Sequence, residues 1–209
     1  MSGGYELKLV PLKKLKPHEK IIPELLRELE EEIKRDGYLR NPLIVDGKTG
    51  VVLDGNHRLE VLKRLGCAYV PVCLVNYDSR EIKLDRWYPV LLGPGGVERL
   101  LEILRKAGYK VVYATREEAE RMVNNREAVA AIILPEVSKE EVRRRGQLGD
   151  LLPPKTTRHV IPDRPLNLNV PLSLLMDDGK TLEEKNKVFL KKCVEGRRVR
   201  RYESVVVYE

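Results

Sequence analysis

The chain has 209 residues, 42% hydrophobic and 34% charged, which allows one compact core or two small ones and excludes a disordered, collagen-like or disulfide-stapled chain. Lys and Arg number 39 against 32 Asp and Glu, a net charge of +7. That balance suits a nucleic-acid footprint or a nucleotide and other small anions, and the abundance of both signs favours a charge-rich surface with a basic cleft. No apolar run reaches the roughly 18 residues that cross a bilayer, and MSGGYELKLVPLKK lacks the apolar stretch of a signal peptide, so a soluble cytoplasmic protein with no membrane partner is expected. Gln147 is the only glutamine, a high-charge, low-amide composition that resembles hyperthermophile proteins. Cys67, Cys73 and Cys193 show no C-x-x-C spacing, which fits a reducing compartment and small buried core residues rather than a zinc site.

In chain order, Tyr5 to Leu12 alternates like a half-buried strand and runs into a Pro-containing turn, Leu15-Lys16-Pro17-His18-Glu19. A helix from Pro23 buries Leu25, Leu26, Leu29 and Ile33 and stops at Gly37. Pro42 to Val45 and Val51 to Leu53 form a hairpin. Asp54-Gly55-Asn56-His57-Arg58 follows, then a helix with Leu59, Leu62 and Leu65 inward, and a strand from Tyr69 to Val75. Residues Ile82 to Leu92, which include Trp87, read as extended or irregular, and Gly93-Pro94-Gly95-Gly96 as a subdomain turn. An α/β part comes next. It has a helix over Val97 to Lys106, a strand over Val111 to Ala114, a helix over Glu117 to Asn124, a strand over Val129 to Leu134 and a helix from a capping box at Ser138. Leu152 to Pro171, with five prolines, reads as a long ordered or semi-ordered loop, and a helix over Leu182 to Val194 and a strand over Ser204 to Tyr208 complete the pattern.

The three histidines, His18, His57 and His159, all fall in predicted connections, where a scaffold positions functional groups. The segment from Asp54 to Arg58 sits between strand and helix, so backbone N–H groups and the positive end of the helix dipole face whatever lies at the turn. Gly55 allows close approach, His57 and Arg58 offer charge-assisted donors to phosphate, and Asp54 can hold a metal-bound water or orient a neighbour. A plain helix cap explains Asp54 and Gly55 but not the Asn, His and Arg that follow. Arg143-Arg144-Arg145 and the arginines of 197–201 read as solvated faces, and no P-loop pattern G-x-x-x-x-G-K-S/T occurs.

Strand, D/G-G-x-H/R-R, then helix resembles the signature of the ParB-N/sulfiredoxin-like superfamily. Asn56 stands where sulfiredoxins carry a nucleophilic cysteine, which removes thiolate chemistry. ParB partition proteins carry G-E-R-R and a helix-turn-helix, and neither is present. The chain resembles most the archaeal free serine kinases. Leu15 to Glu19 is similar to their K-P-H-E segment, Asp54 to Arg58 to D-G-H-H-R, Pro154 to Val160 to P-K-T-T-R-H-V, and Trp87-Tyr88-Pro89 to W-Y-P. These segments keep their order over most of residues 15 to 165. Asn56 replaces the first histidine of D-G-H-H-R, and the tail after about residue 170 has no counterpart.

The resemblance implies an α/β (α+β) fold with a ParB/sulfiredoxin-like nucleotide-binding domain over residues 1–92. A smaller α/β part over 93–209 would carry a substrate loop, 152–165. It implies a kinase that moves the terminal phosphate of ADP or ATP, with Mg²⁺, to the L-serine hydroxyl and makes O-phospho-L-serine for cysteine biosynthesis. Glu19 would be the base, with Asp54 the second catalytic residue. Gly55, Asn56, His57 and Arg58 would hold phosphate, and Trp87, Lys155, Thr156, Thr157, Arg158 and His159 the serine. The alternative is a ParB-like nucleotide- or DNA-binding regulator that uses the same phosphate cradle. A specific nucleic-acid partner is not expected.

Overall fold

The structure is a computed structural model that describes residues 5–92, 110–128, 130–131, 136–202 and 204–209. In chain order its elements are β1 (Tyr5–Pro11), a 3₁₀ turn (Leu12–Lys14), α1 (Pro23–Asp36), β2 (Tyr38–Leu39), β3 (Leu43–Asp46), β4 (Val52–Asp54), α2 (Asn56–Arg64), β5 (Tyr69–Val75), β6 (Lys83–Asp85), β7 (Tyr88–Leu92), β8 (Lys110–Ala114), α3 (Arg116–Asn124), β9 (Ala130–Ala131), α4 (Lys139–Leu148), β10 (Arg158–Val160), β11 (Arg164–Leu166), β12 (Val170–Pro171), α5 (Leu172–Leu175), α6 (Leu182–Phe189), a π turn (Leu190–Val194), β13 (Val199–Arg201) and β14 (Val205–Tyr208).

Two compact units interleave along the chain: Met1–Lys83, Lys139–Pro154 and His159–Glu209 form the first, Leu84–Ser138 and Lys155–Arg158 the second. The sequence suggested consecutive stretches, 1–92 and 93–209. Residues 139–154 and 159–209 fold with the first unit because their partners lie near the N-terminus.

In the first unit the sheet runs β1-β5-β3-β4. The strand β5 pairs antiparallel with β1 and parallel with β3, so it is covered on both edges. Its sequence, YVPVCLV, is apolar at successive positions, as an interior strand requires. The hairpin β3–β4 closes on Asp46, which is fully buried and accepts hydrogen bonds from Thr49 Oγ1 at 2.6 Å and from Arg143 of α4 at 2.9 Å. Helix α1 begins on Pro23, ends at Gly37 with φ 73°, and buries Leu26 and Ile33. It packs with α2 over a core that includes Leu9, Leu43, Leu62, Leu168 and Phe189. Cys67, Cys73 and Cys193 are free and buried, and burial alone pushes the Cys67 thiol up to about 11.

The tail is part of this unit. Parallel pairing of β11 with β14 and antiparallel pairing of β14 with β13 make a small sheet, and β12 pairs with β2. Helix α6 starts on a Thr181–Glu184 capping box and docks through Asn186. Asn186 Oδ1 accepts the Leu9 N–H at 2.7 Å, while its Nδ2 donates to the Leu9 carbonyl at 3.1 Å, covering the β1 edge.

The second unit is a three-stranded antiparallel sheet, β9-β7-β8, carrying α3 over a small core of Val90, Ala114, Ala119 and Ala128. The glycine turn at 93–96 and the helix expected over 97–106 lie outside the described residues, as does most of the strand expected over 129–134. Two expectations need correction. The Pro-rich stretch 152–171, expected as one long ordered or semi-ordered loop, carries three short strands, β10, β11 and β12. The helix over 182–194 is α-helical only to Phe189 and widens into a π turn. Among the described residues no helix is long and apolar enough to cross a membrane.

Candidate active site

Strand β4 ends at Asp54, and Gly55 turns the chain into α2 with φ 104°. That left-handed backbone favours glycine, and a Cβ here would lie 2.9 Å from the Leu43 side chain and 3.1 Å from the Arg58 guanidinium. Gly55 has no side chain to cap the helix, so the turn offers its amides to an anion.

Asp54 is shared by two arginines. Arg58 donates to its Oδ2 at 2.6 Å, and Arg164 of β11 pairs with the same oxygen. Burial pushes the Asp54 carboxyl upward, but the charges of Arg58 and Arg164 and the hydrogen bond from Arg58 outweigh burial and hold it below the usual carboxylate range. Arg58 is deeply engaged: its Nη1 donates to the carbonyls of Asn41 at 3.0 Å and Pro42 at 2.5 Å. Asn41 in turn accepts the Asn167 N–H through Oδ1 at 2.9 Å, which ties the C-terminal region to the same loop.

Two histidines pin β4 from below the turn. His18, 1% exposed, places Nδ1 2.5 Å from the Val52 carbonyl, so Nδ1 carries the proton. Asn56 accepts the His18 N–H through Oδ1 at 3.4 Å. Asn56, at the position of the family's first histidine, thereby joins the turn to the K-P-H-E-like segment. His159 hydrogen-bonds the Leu53 backbone and takes the Tyr77 hydroxyl at Nε2, 2.8 Å away. The two rings meet edge-on, with centroids 5.5 Å apart. Burial drives the His18 pKa down to about 4, against the Val52 bond and the Asp54 charge. Burial first, then the neighbouring His18, drives His159 to about 3. Both are neutral at pH 7.

Glu19 follows His18. Its backbone bridges to Leu152, with Lys20 N donating to the Leu152 carbonyl at 2.9 Å and Leu152 N to the His18 carbonyl at 2.9 Å. The Glu19 side chain is 11% exposed, and its Oε1 lies 3.7 Å from His18 Nε2. It is not a solvated surface glutamate. His57 Nε2 accepts the Ile22 N–H at 2.9 Å, which fixes the proton on Nδ1 and makes the ring a neutral donor while that bond holds.

The second unit gathers the remaining predicted residues. Lys155 Nζ and the Arg158 guanidinium lie over Trp87, 5.3 and 5.6 Å from the ring centroid. Arg158 also pairs with Asp85 at 3.1 Å. Thr156 and Thr157 are buried, and Lys155 has φ 61°. A cavity of about 200 Å³ is lined by Leu84, Asp85, Arg86, Glu136, Val137 and Thr156, with Arg86 and Glu136 paired. His159, expected beside Arg158 in the serine group, belongs to the first unit with Tyr77. Sequence reasoning missed Tyr77, Arg164 and Asp85. Arg164 lies in the Pro-rich segment, and its pairing with Asp54 over 110 positions leaves no local signal.

No family model matches the chain. It is similar to the ATP-dependent L-serine kinase of Staphylothermus marinus, 36% identical over 107 residues, which is 49% of this chain and 42% of that protein. The chain thus matches less than half the length of this relative. A ParB-like protein of Sulfolobus acidocaldarius is 29% identical over 184 residues, covering 76% of this chain and 92% of its own. A solved free serine kinase in complex with AMP superposes with a TM-score of 0.72 at 24% identity, covering 83% of this chain and 94% of that one. The chain has the mixed α/β fold of the free serine kinases, and its resemblance to them is borne out in both fold and sequence relatives.

Proposed function

We propose that the chain is a free L-serine kinase that transfers the terminal phosphate of ADP or ATP to the serine hydroxyl and releases O-phospho-L-serine, the product the resemblance places in cysteine biosynthesis. The observation that carries this reading is the pairing of Glu19 with the phosphate turn. The carboxylate is largely buried, its backbone is clamped by Leu152, and the adjacent His18 is bonded to the strand that presents Asp54 and Gly55. A base held rigidly beside an anion-binding helix start is what phosphoryl transfer to an alcohol requires.

The α2 amides and Gly55 receive the nucleotide phosphates, with Asn56, His57 and Arg58 shaping the turn. Trp87, Lys155, Thr156, Thr157 and Arg158 hold the amino acid. Glu19 takes the hydroxyl proton as the oxygen attacks phosphorus. Asp54 acts through its two arginines, keeping positive charge at the turn.

Among the described residues no three His, Cys, Asp or Glu side chains cluster as a metal site, and both arginines pair with one Asp54 oxygen, Oδ2. These residues fit a Mg²⁺ that arrives on the nucleotide, where it would neutralise phosphate charge. The test is incubation with Mg²⁺, L-serine and ADP or ATP. Formation of O-phosphoserine supports the reading, and nucleotide binding without product supports the alternative, a ParB-like regulator.

A further inference from the structure

Arg164 belongs to none of the four motif segments, yet it shares the Asp54 carboxylate with Arg58. One carboxylate against two guanidiniums leaves a net positive charge at the start of α2, and the flanking His18 and His159 are neutral. The two arginines differ in what remains available. Arg58 is 14% exposed and directs Nη1 to two backbone carbonyls and Nη2 to Asp54. Arg164 keeps 29% side-chain exposure, and among the described residues Asp54 is its side-chain partner. Its backbone is fixed independently: Arg164 N donates to the Ser204 carbonyl at 3.1 Å, and Pro165 pairs with Val206 of β14.

We propose that Arg164 binds the phosphate chain of the nucleotide, with one edge of its guanidinium on Asp54 and another on oxygens beyond the first phosphate. A guanidinium has five donors in a planar fork, so it can serve a carboxylate and a phosphate together. Arg58 then serves as the anchor of the turn. This deepens the kinase reading and rests on its nucleotide site. It also gives the C-terminal strand a task, since β14 holds the strand that carries Arg164.

The experiment is calorimetric titration of ADP and AMP, with Mg²⁺, into the wild type, Arg164→Ala, Arg164→Lys, Asp54→Asn and the Arg164→Ala/Asp54→Asn double variant, with the melting temperature of each recorded. Arg164→Ala is expected to weaken ADP binding by roughly tenfold or more and AMP binding less, because AMP lacks the further phosphates. Arg164→Lys should recover part of the loss, since it restores charge without the fork. The same loss should persist in the Asp54→Asn background. Unchanged ADP affinity in Arg164→Ala overturns the proposal. So does a loss that vanishes when Asp54 is Asn, because Arg164 would then only neutralise Asp54. A wild type that binds no ADP instead removes the nucleotide site, and the proposal with it.

Discussion

At the scale of single residues, the kinase proposal rests on Glu19 as the base. Glu19→Gln keeps shape and hydrogen bonding but cannot accept a proton, so kcat should fall by about two orders of magnitude or more. The dissociation constant for ADP should stay near the wild-type value, because the proposal places the phosphates at α2 and not on Glu19. Steady-state kinetics beside calorimetry checks this split, and a wild-type kcat in the Gln variant would move the role to another group. Asp54 is a poor substitute while two arginines hold it ionised.

The buried histidines set an acid limit on stability. Folded pKa values near 4 for His18 and 3 for His159 lie below the ordinary histidine value of 6.5, so the unfolded chain binds more protons in that interval. Their contribution is complete above about pH 6.5 and is lost as pH falls towards 4, at up to about 1.4 kcal/mol per unit for each ring. Melting curves between pH 7.5 and 4.5 should show this loss, and His159→Gln should flatten it. An equal slope in the variant would contradict the assignment. The motif residues were legible because each segment is contiguous. The tie of His159 to Tyr77 was not legible because it spans 82 positions, and nothing in Arg158-His159 marks the point where the chain passes from one unit to the other.

At the scale of elements, the strand–glycine–helix unit is where the proposal places the nucleotide phosphates. Gly55→Ala would keep φ at 104° only under strain and would press a methyl on Leu43 and Arg58. A loss of roughly 1–3 kcal/mol is expected in denaturant titration, together with weaker ADP binding. A fully stable variant would show that the turn relaxes freely. This unit was readable from sequence because its signals are local: an apolar strand, a glycine and a helical period. The segment 152–171 was not readable in the same way. Its strands are two or three residues long, and they exist through pairing with distant segments, β10 with β6, β11 with β14 and β12 with β2, which local periodicity does not register. The tail was opaque for the same reason, although its sheet and α6 complete the first unit's core.

At the scale of the whole molecule, the net charge of +7 would draw polyanions without specifying them. Retention on double-stranded DNA should therefore fall steeply between low and physiological salt and show no sequence preference. A gel-shift series over salt and sequence checks this, and a salt-resistant preferred site would support the regulator reading. The central claim is the transfer of phosphate to serine. Its most direct test follows ³¹P resonances of ADP or ATP with Mg²⁺ and L-serine in the presence of the wild-type protein. The kinase reading predicts an O-phosphoserine resonance growing with enzyme concentration and absent without serine, while nucleotide that binds yet yields no phosphoserine from either donor would contradict it.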